Sequence, residues 1–202
     1  MENYHQPVML GEVLHYLSPK PNQNYVDCTL GGGGHAQVIL ERTSPKGNLL
    51  AIDLDPKSIS ITKERLKPFR GRFKVVQDNF KNLEKIVNDW QFNKISGILL
   101  DLGLSSNQLQ DKSRGFSFLA TGKLDMRFGL EQEVNAADII NNATQEELEQ
   151  IFKGFGEEKL SQKIAKEIVE CRKKEPINSP SRLVEIISQV YKKSYKGRSK
   201  IN

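Results

Sequence analysis

Between Asn24 and Gly103 the chain alternates short apolar runs with amphipathic ones, and nothing else in the sequence constrains its fold so tightly. "NYVDCTL" (24–30) reads as a strand, and "GHAQVILERT" (34–43) as a helix with Ala36, Ile39 and Leu40 on one face. "GNLLAIDLD" (47–55) is a second strand, mostly apolar on both faces, as buried parallel strands are. Asp55-Pro56 supplies a helix N-cap and a proline for the first helical position, opening a helix to about Leu66. "RFKVVQDNF" is a third strand, Leu83, Ile86, Val87 and Trp90 mark a third helix, and "ISGILLDLG" (95–103) is a fourth strand. Three β–α units and a further strand predict an α/β fold with a parallel sheet and right-handed crossovers.

After Gly103 the character changes. Residues 104–130 hold "SSNQL", "RGFSF" and "KLDMRF" without clean periodicity, and irregular segments of that length are commonly functional or disordered. Beyond them the pattern is helical. Thr144-Gln-Glu-Glu147 fits a capping box, Leu160, Ile164, Ile168 and Cys171 form a stripe, and Ser179-Pro180 opens a last helix. The expected division is therefore 1–103, a nucleotide-binding type of domain, and 104–202, a mainly helical one.

Composition narrows the class. With 37% hydrophobic and 27% charged residues, the 202-residue chain has the balance of a globular protein. No apolar run approaches the roughly 18 residues of a membrane span. The start, "MENYHQPVML", lacks the basic and apolar regions of a signal peptide, so a cytoplasmic location is expected. Cys28, Cys171 and three scattered histidines make neither a disulfide framework nor a metal site. The net charge of +5 is uneven: Lys159–Asn202 carries twelve Lys/Arg against four Asp/Glu. A basic end on a near-neutral body points to nucleic acid, although a solvated helical face gives the same count.

Gly31-Gly32-Gly33-Gly34-His35-Ala36 satisfies the fingerprint G-x-G-x-x-A between a strand and a helix. Asp53 follows Gly31 by twenty-two residues, at the end of the second strand, where a carboxylate can take two ribose hydroxyls. A nucleoside cofactor is therefore expected. The loop alone leaves open whether it is NAD, with its pyrophosphate at the helix N-terminus, or S-adenosylmethionine, with its carboxylate in the same field of N–H groups. Asp27, four residues before the glycines, suits an ammonium and favours the second. So do the polar ends of strands three and four, "DNF" and "DLGLSS". Phe80 can pack on an adenine face or serve as a core residue.

Together "HQPVML", "YVDCTLGGGGH", "DLDP", "DNF", "GILLDLGLSSNQL", "RGFSF" and "LDMRF" resemble the bacterial 16S ribosomal RNA cytosine-N4 methyltransferase family, the RsmH (MraW) type. The resemblance runs from about His5 to the end of the chain. It implies a Rossmann-like class I methyltransferase domain interrupted after the fourth strand by a helical domain facing RNA. It also implies that Gly33, Gly34, His35, Asp53, Phe80, Asp101 and Gln108 contact S-adenosylmethionine, and that the partner is 16S rRNA in the small ribosomal subunit. This chain has Asn107 where the family usually has proline, and Phe128 in place of a methionine. Members run on through a "HPATR" segment into further strands, and this sequence reaches Lys200-Ile201-Asn202 about where that segment begins. The resemblance thus implies a sheet without its C-terminal strands.

The chemistry so implied is methyl transfer from a sulfonium to an exocyclic amine whose lone pair is delocalised into the cytosine ring. A hydrogen-bond acceptor for that amine, and positioning, are what the protein can contribute. Related amino-methyltransferases carry a D/N/S-P-P-Y/F motif after strand four, and this chain has "DLGLSSN". Asp101 is the first candidate to hold the amine, followed by Ser105, Ser106 and Asn107; a loop turn or helix cap explains the two serines equally well. Arg114, Arg127 and the basic helices are candidates for RNA phosphates, while Phe116 and Phe118 suit a base stack or, more simply, the core. Two other classes remain: a cofactor-binding relative without activity, and a nicotinamide dehydrogenase, which explains neither "DLGLSSNQL" nor "RGFSF".

Overall fold

Four parallel strands, β1 (Asn24–Asp27), β2 (Leu49–Asp53), β3 (Phe73–Gln77) and β4 (Ile95–Leu99), make one sheet in the order β3-β2-β1-β4. The computed structural model describes residues 7–118, 122–129 and 132–196. His5, Gln6 and the terminal Lys200-Ile201-Asn202 lie outside them. The chain divides into two units, Met1–Ser105 and Ser106–Asn202.

In the first unit α1 (Leu10–Leu17), α2 (Gly34–Arg42), α3 (Pro56–Arg65) and α4 (Leu83–Asp89) surround the sheet. Successive strand residues point to opposite faces, so each strand feeds two cores. Tyr25, Leu49, Ala51 and Leu99 join Ala36, Ile39 and Leu40 of α2 on one side, with Val13 and Leu17 of α1 packed against them. Val26, Cys28, Leu50 and Ile52 meet Ile86 of α4 on the other. This double coverage is why β1 and β2 read as continuous apolar runs. Asp55 caps α3 by accepting from Lys57 N–H at 3.0 Å, with Pro56 first in the helix.

Two expectations need correction. The strands stop earlier than the apolar runs, at Asp27 and Leu99, although Cys28 N–H still donates to Leu99 O and Leu30 N–H to Ile52 O. Helix α1 was not expected. Its Leu17 packs so closely on β4 that a Cβ at Gly97 would lie 2.7 Å from Leu17 Cδ1.

In the second unit the segment expected to be irregular opens with the short α5 (Ser106–Gln110). Four helices follow: α6 (Ala136–Asn142), α7 (Gln145–Gly154), α8 (Ser161–Arg172) and α9 (Pro180–Lys196). The Thr144/Glu147 capping box forms as predicted, and Asn135/Asp138 makes a second one on α6. Leu148, Ile164, Ile168, Ile186 and Val190 build the core, joined by Leu124 from the loop. Arg172 closes the end of α6, donating to Ile140 O at 2.7 Å and Ala143 O at 2.6 Å. Among the described residues no helix is long and apolar enough to cross a membrane.

Candidate functional site

The strand order reverses beside β1: β2 and β3 lie on one side of it and β4 on the other. In open parallel sheets that switch point leaves a crevice at the carboxyl ends of the strands, where ligands bind. Asp27 ends β1, Asp53 ends β2, and Asp101 lies two residues past β4.

The glycine loop is tied to these strand ends. Gly31 N–H donates to Asp53 Oδ2 at 2.7 Å, and Asp55 N–H to Asp53 Oδ1 at 2.8 Å. From α3, Thr62 donates to Gly31 O at 2.8 Å and Arg65 Nη1 to Gly32 O at 3.0 Å. With those carbonyls engaged by α3, the first turn of α2 begins at Gly34 with the unpaired N–H groups that any helix start carries. Gly33, the N-cap, has φ +72°, and a Cβ there would meet Thr62 Cγ2 at 2.5 Å. Gly32 differs: a Cβ there would meet nothing within 4 Å. Pro7 lies against Gly34, where a Cβ would come within 3.0 Å of its ring.

His35 is buried and joins three segments. Its Nε2 is 3.0 Å from Val8 O, and its Nδ1 is 3.8 Å from the partly exposed Asp101 carboxylate. The Asp101 N–H donates to Thr29 Oγ1 at 2.7 Å, which fixes the turn after β4 to the turn after β1.

Asp27 is the anomaly. It is 1% exposed; one carboxylate oxygen accepts from Thr29 N–H at 3.0 Å, while Oδ2 has no hydrogen-bond partner among the described residues. Burial, then repulsion from Asp53 and Asp101, outweighs the Thr29 bonds and pushes its pKa up to about 7. Burial also raises Asp53, opposed by the N–H groups of Asp55 and Gly31.

The other sequence candidates are placed as follows. Phe80 sits in a single 3-10 turn (Phe80–Asn82) after β3 and is 39% exposed, so its ring is not in the core. The polar part of "DNF" is used locally: Asp78 accepts from Asn79 N–H and Asn82 Nδ2, and Asn79 caps the turn. Ser105 ends the first unit, and Gln108 is buried in the second. Ser106 and Asn107 contribute backbone to α5, and their side chains lie outside the described residues. Phe116 is buried and Phe118 exposed.

Arg127 grips Asp125 with two bonds of 2.8 Å and Gln132 O with a third, and Arg114 donates to Arg127 O and Phe128 O. Both arginines thus fasten the "LDMRF" loop. Thr29, Thr62 and Arg65 were missed as loop-holding residues. In sequence Thr62 looks like one more position on the inner face of α3.

The sequence profile of the MraW methylase family matches residues 2–202. The protein named ribosomal RNA small subunit methyltransferase H from Fusobacterium nucleatum is 44% identical over 94% of this chain and 60% of its own length. The protein of that name from Clostridium botulinum is 46% identical over 93% of this chain, and that from Geobacter sulfurreducens 45% over 91%. The chain spans about 60% of the length of these relatives.

Proposed function

This chain belongs to the MraW methylase family, and on that premise we propose that it binds S-adenosylmethionine at the carboxyl ends of β1 and β2 and serves N4-methylation of a cytidine in the 16S rRNA of the small ribosomal subunit. The observation that carries the cofactor choice is the buried Oδ2 of Asp27, which has no hydrogen-bond partner among the described residues. An unpartnered carboxylate oxygen in a dry site is costly, and a ligand bearing an ammonium offsets that cost. A dinucleotide would bring phosphates to the same acid, which repel it.

The remaining residues fit the rest of the molecule. The start of α2, behind its N-cap Gly33, offers the N–H groups of Gly34 and His35 and a positive helix end to a carboxylate; Gly33 N–H itself donates to Leu30 O. Asp53 suits a ribose diol, and the exposed ring of Phe80 an adenine. Contacts from Asp101 and Gln108 rest on the family resemblance. When bound, this cofactor supplies a methyl group on a sulfonium.

The chain's own contribution is placement and proton handling. Asp101, anchored by Thr29 and facing His35, is the group to accept a hydrogen bond from the cytosine amine and then its proton. An acceptor placed on that N–H favours pyramidalisation of the nitrogen as the methyl arrives, and so uncouples its lone pair from the ring. Ser105, Ser106 and Asn107 are secondary candidates. RNA recognition falls to the helical unit, whose basic excess lies in Lys159–Asn202, with Arg114 and Arg127 as candidate phosphate contacts beside their role in the loop.

The test is transfer of label from S-adenosylmethionine to unmodified small ribosomal subunits, with N4-methylcytidine identified by nucleoside mass spectrometry. Binding of the cofactor without any transfer would support the second reading, a cofactor-binding protein without turnover. A nicotinamide-dependent absorbance change without binding of S-adenosylmethionine would sink both.

A further inference from the structure

We propose that the free protein holds Asp27 as the neutral acid, and that an ammonium-bearing ligand expels this proton on binding, so that cofactor capture releases one proton to solvent. The inference rests on the cofactor reading above and goes beyond it by assigning a protonation state to each step of binding.

Three observations support it. Asp27 ends a central strand, 1% exposed, with one oxygen held by Thr29 N–H and the other unpartnered among the described residues. The charges that bear on it are both carboxylates, Asp53 at the end of β2 and Asp101 beyond β4. Two basic side chains of adjoining elements are engaged elsewhere. His35 on α2 lies between Val8 O and Asp101, and Arg65 on α3 donates to Gly32 O and Gln37 Oε1. Cys28, the next residue along, is a buried thiol raised to about 11, so it brings no compensating charge. A third negative charge, desolvated between two others, is disfavoured, whereas a neutral carboxyl is tolerated.

An amino-acid ammonium arrives already protonated. Placed beside Asp27 it stabilises the carboxylate; an opposite charge within contact range lowers a carboxyl pKa by roughly 1–3 units. The O–H bond of Asp27 breaks, its proton passes to buffer, and the ion pair replaces it, with no bond of the ligand altered. This makes Asp27 a sensor of the ligand's amino group and a source of discrimination against nucleosides that lack one.

Titration calorimetry of the 202-residue chain with S-adenosylhomocysteine, in buffers of different ionisation enthalpy, reads the proton directly. For a pKa lowered by about two units or more, expected release is most of one proton at about pH 6, about half at pH 7 and near zero at pH 8, with affinity increasing as pH rises, by up to about tenfold per unit below pH 7. 5′-Methylthioadenosine, which lacks the ammonium, should bind more weakly and release none. Asp27→Asn should abolish the release and flatten the pH dependence; the wild-type measurement stands without it if that variant misfolds. A buffer-independent enthalpy for S-adenosylhomocysteine at pH 6 would overturn the inference alone, as would equal release with methylthioadenosine. Absence of any binding heat, at every pH and in every buffer, would overturn the cofactor reading and this inference with it.

Discussion

Gly31 and Asp53, twenty-two residues apart, are joined by a 2.7 Å hydrogen bond from the loop N–H to the carboxylate, whose other oxygen accepts from Asp55 N–H. One side chain therefore sets both the glycine loop after β1 and the start of α3 after β2. The spacing that suggested a ribose ligand is also the spacing of a structural clamp.

The two roles of Asp53 separate by experiment. Asp53→Ala should weaken S-adenosylmethionine binding at least tenfold in calorimetry, and should lower the stability of the free chain by about 1–3 kcal/mol, because two N–H groups lose their acceptor. Unchanged affinity in a folded Asp53→Ala protein would remove Asp53 from the ribose role and leave the clamp.

Asp27 makes a prediction about stability without ligand. Its folded pKa, about 7, lies above the ordinary carboxyl value of 3.8, so the bound proton stabilises the fold. That contribution is complete below the unfolded value and is lost as pH rises through 7. Thermal melts should therefore show the free chain losing stability between about pH 4 and 8, with a ceiling of about 4 kcal/mol from this group. Asp27→Asn should be flatter over the same range, gaining on the wild type as pH rises. Parallel curves for the two proteins would show that Asp27 is already ionised.

The glycines are not equivalent. Gly33→Ala combines a left-handed φ with a 2.5 Å approach to Thr62 Cγ2 and should cost about 1–3 kcal/mol in urea unfolding, part of it recovered by Thr62→Ser. Gly32→Ala meets open space and should fold almost as the wild type does, yet bind S-adenosylhomocysteine several-fold more weakly where ligand approaches bare backbone. Unchanged affinity in Gly32→Ala would move the ligand away from this part of the loop.

What could be read from sequence was local. The β–α alternation, the Asp55-Pro56 and Thr144/Glu147 caps and the glycine loop all follow from patterns within a few residues. Helix α1 was missed because eight residues with Leu10, Val13 and Leu17 in step give little signal before they are packed on β4. At the candidate site, the places of Asp27 and Asp53 at strand ends were legible because strand ends announce themselves. Thr62 and Arg65 were not, since each reaches loop carbonyls thirty-one or thirty-three residues away. For Arg114 and Arg127, sequence shows a charge but not the carbonyls and carboxylate that claim it.

That ambiguity makes Arg127 the most informative position in the second unit. Its paired bonds to Asp125 hold that carboxyl below the ordinary range and require the planar fork of a guanidinium, which lysine cannot reproduce. If fastening the loop is its main work, Arg127→Lys and Arg127→Ala should lower the melting temperature alike and weaken binding of a small-subunit rRNA fragment in parallel. A direct phosphate contact gives a different pattern: Lys keeps most of the affinity, and only Ala reduces the salt dependence, by about one counterion. The bonds to Asp125 and Gln132 lead to the first outcome, with both variants measured by filter binding across a salt series and by thermal melts. Retention of rRNA affinity by Arg127→Lys despite a lowered melting temperature would instead assign the charge to RNA and the fork to the fold.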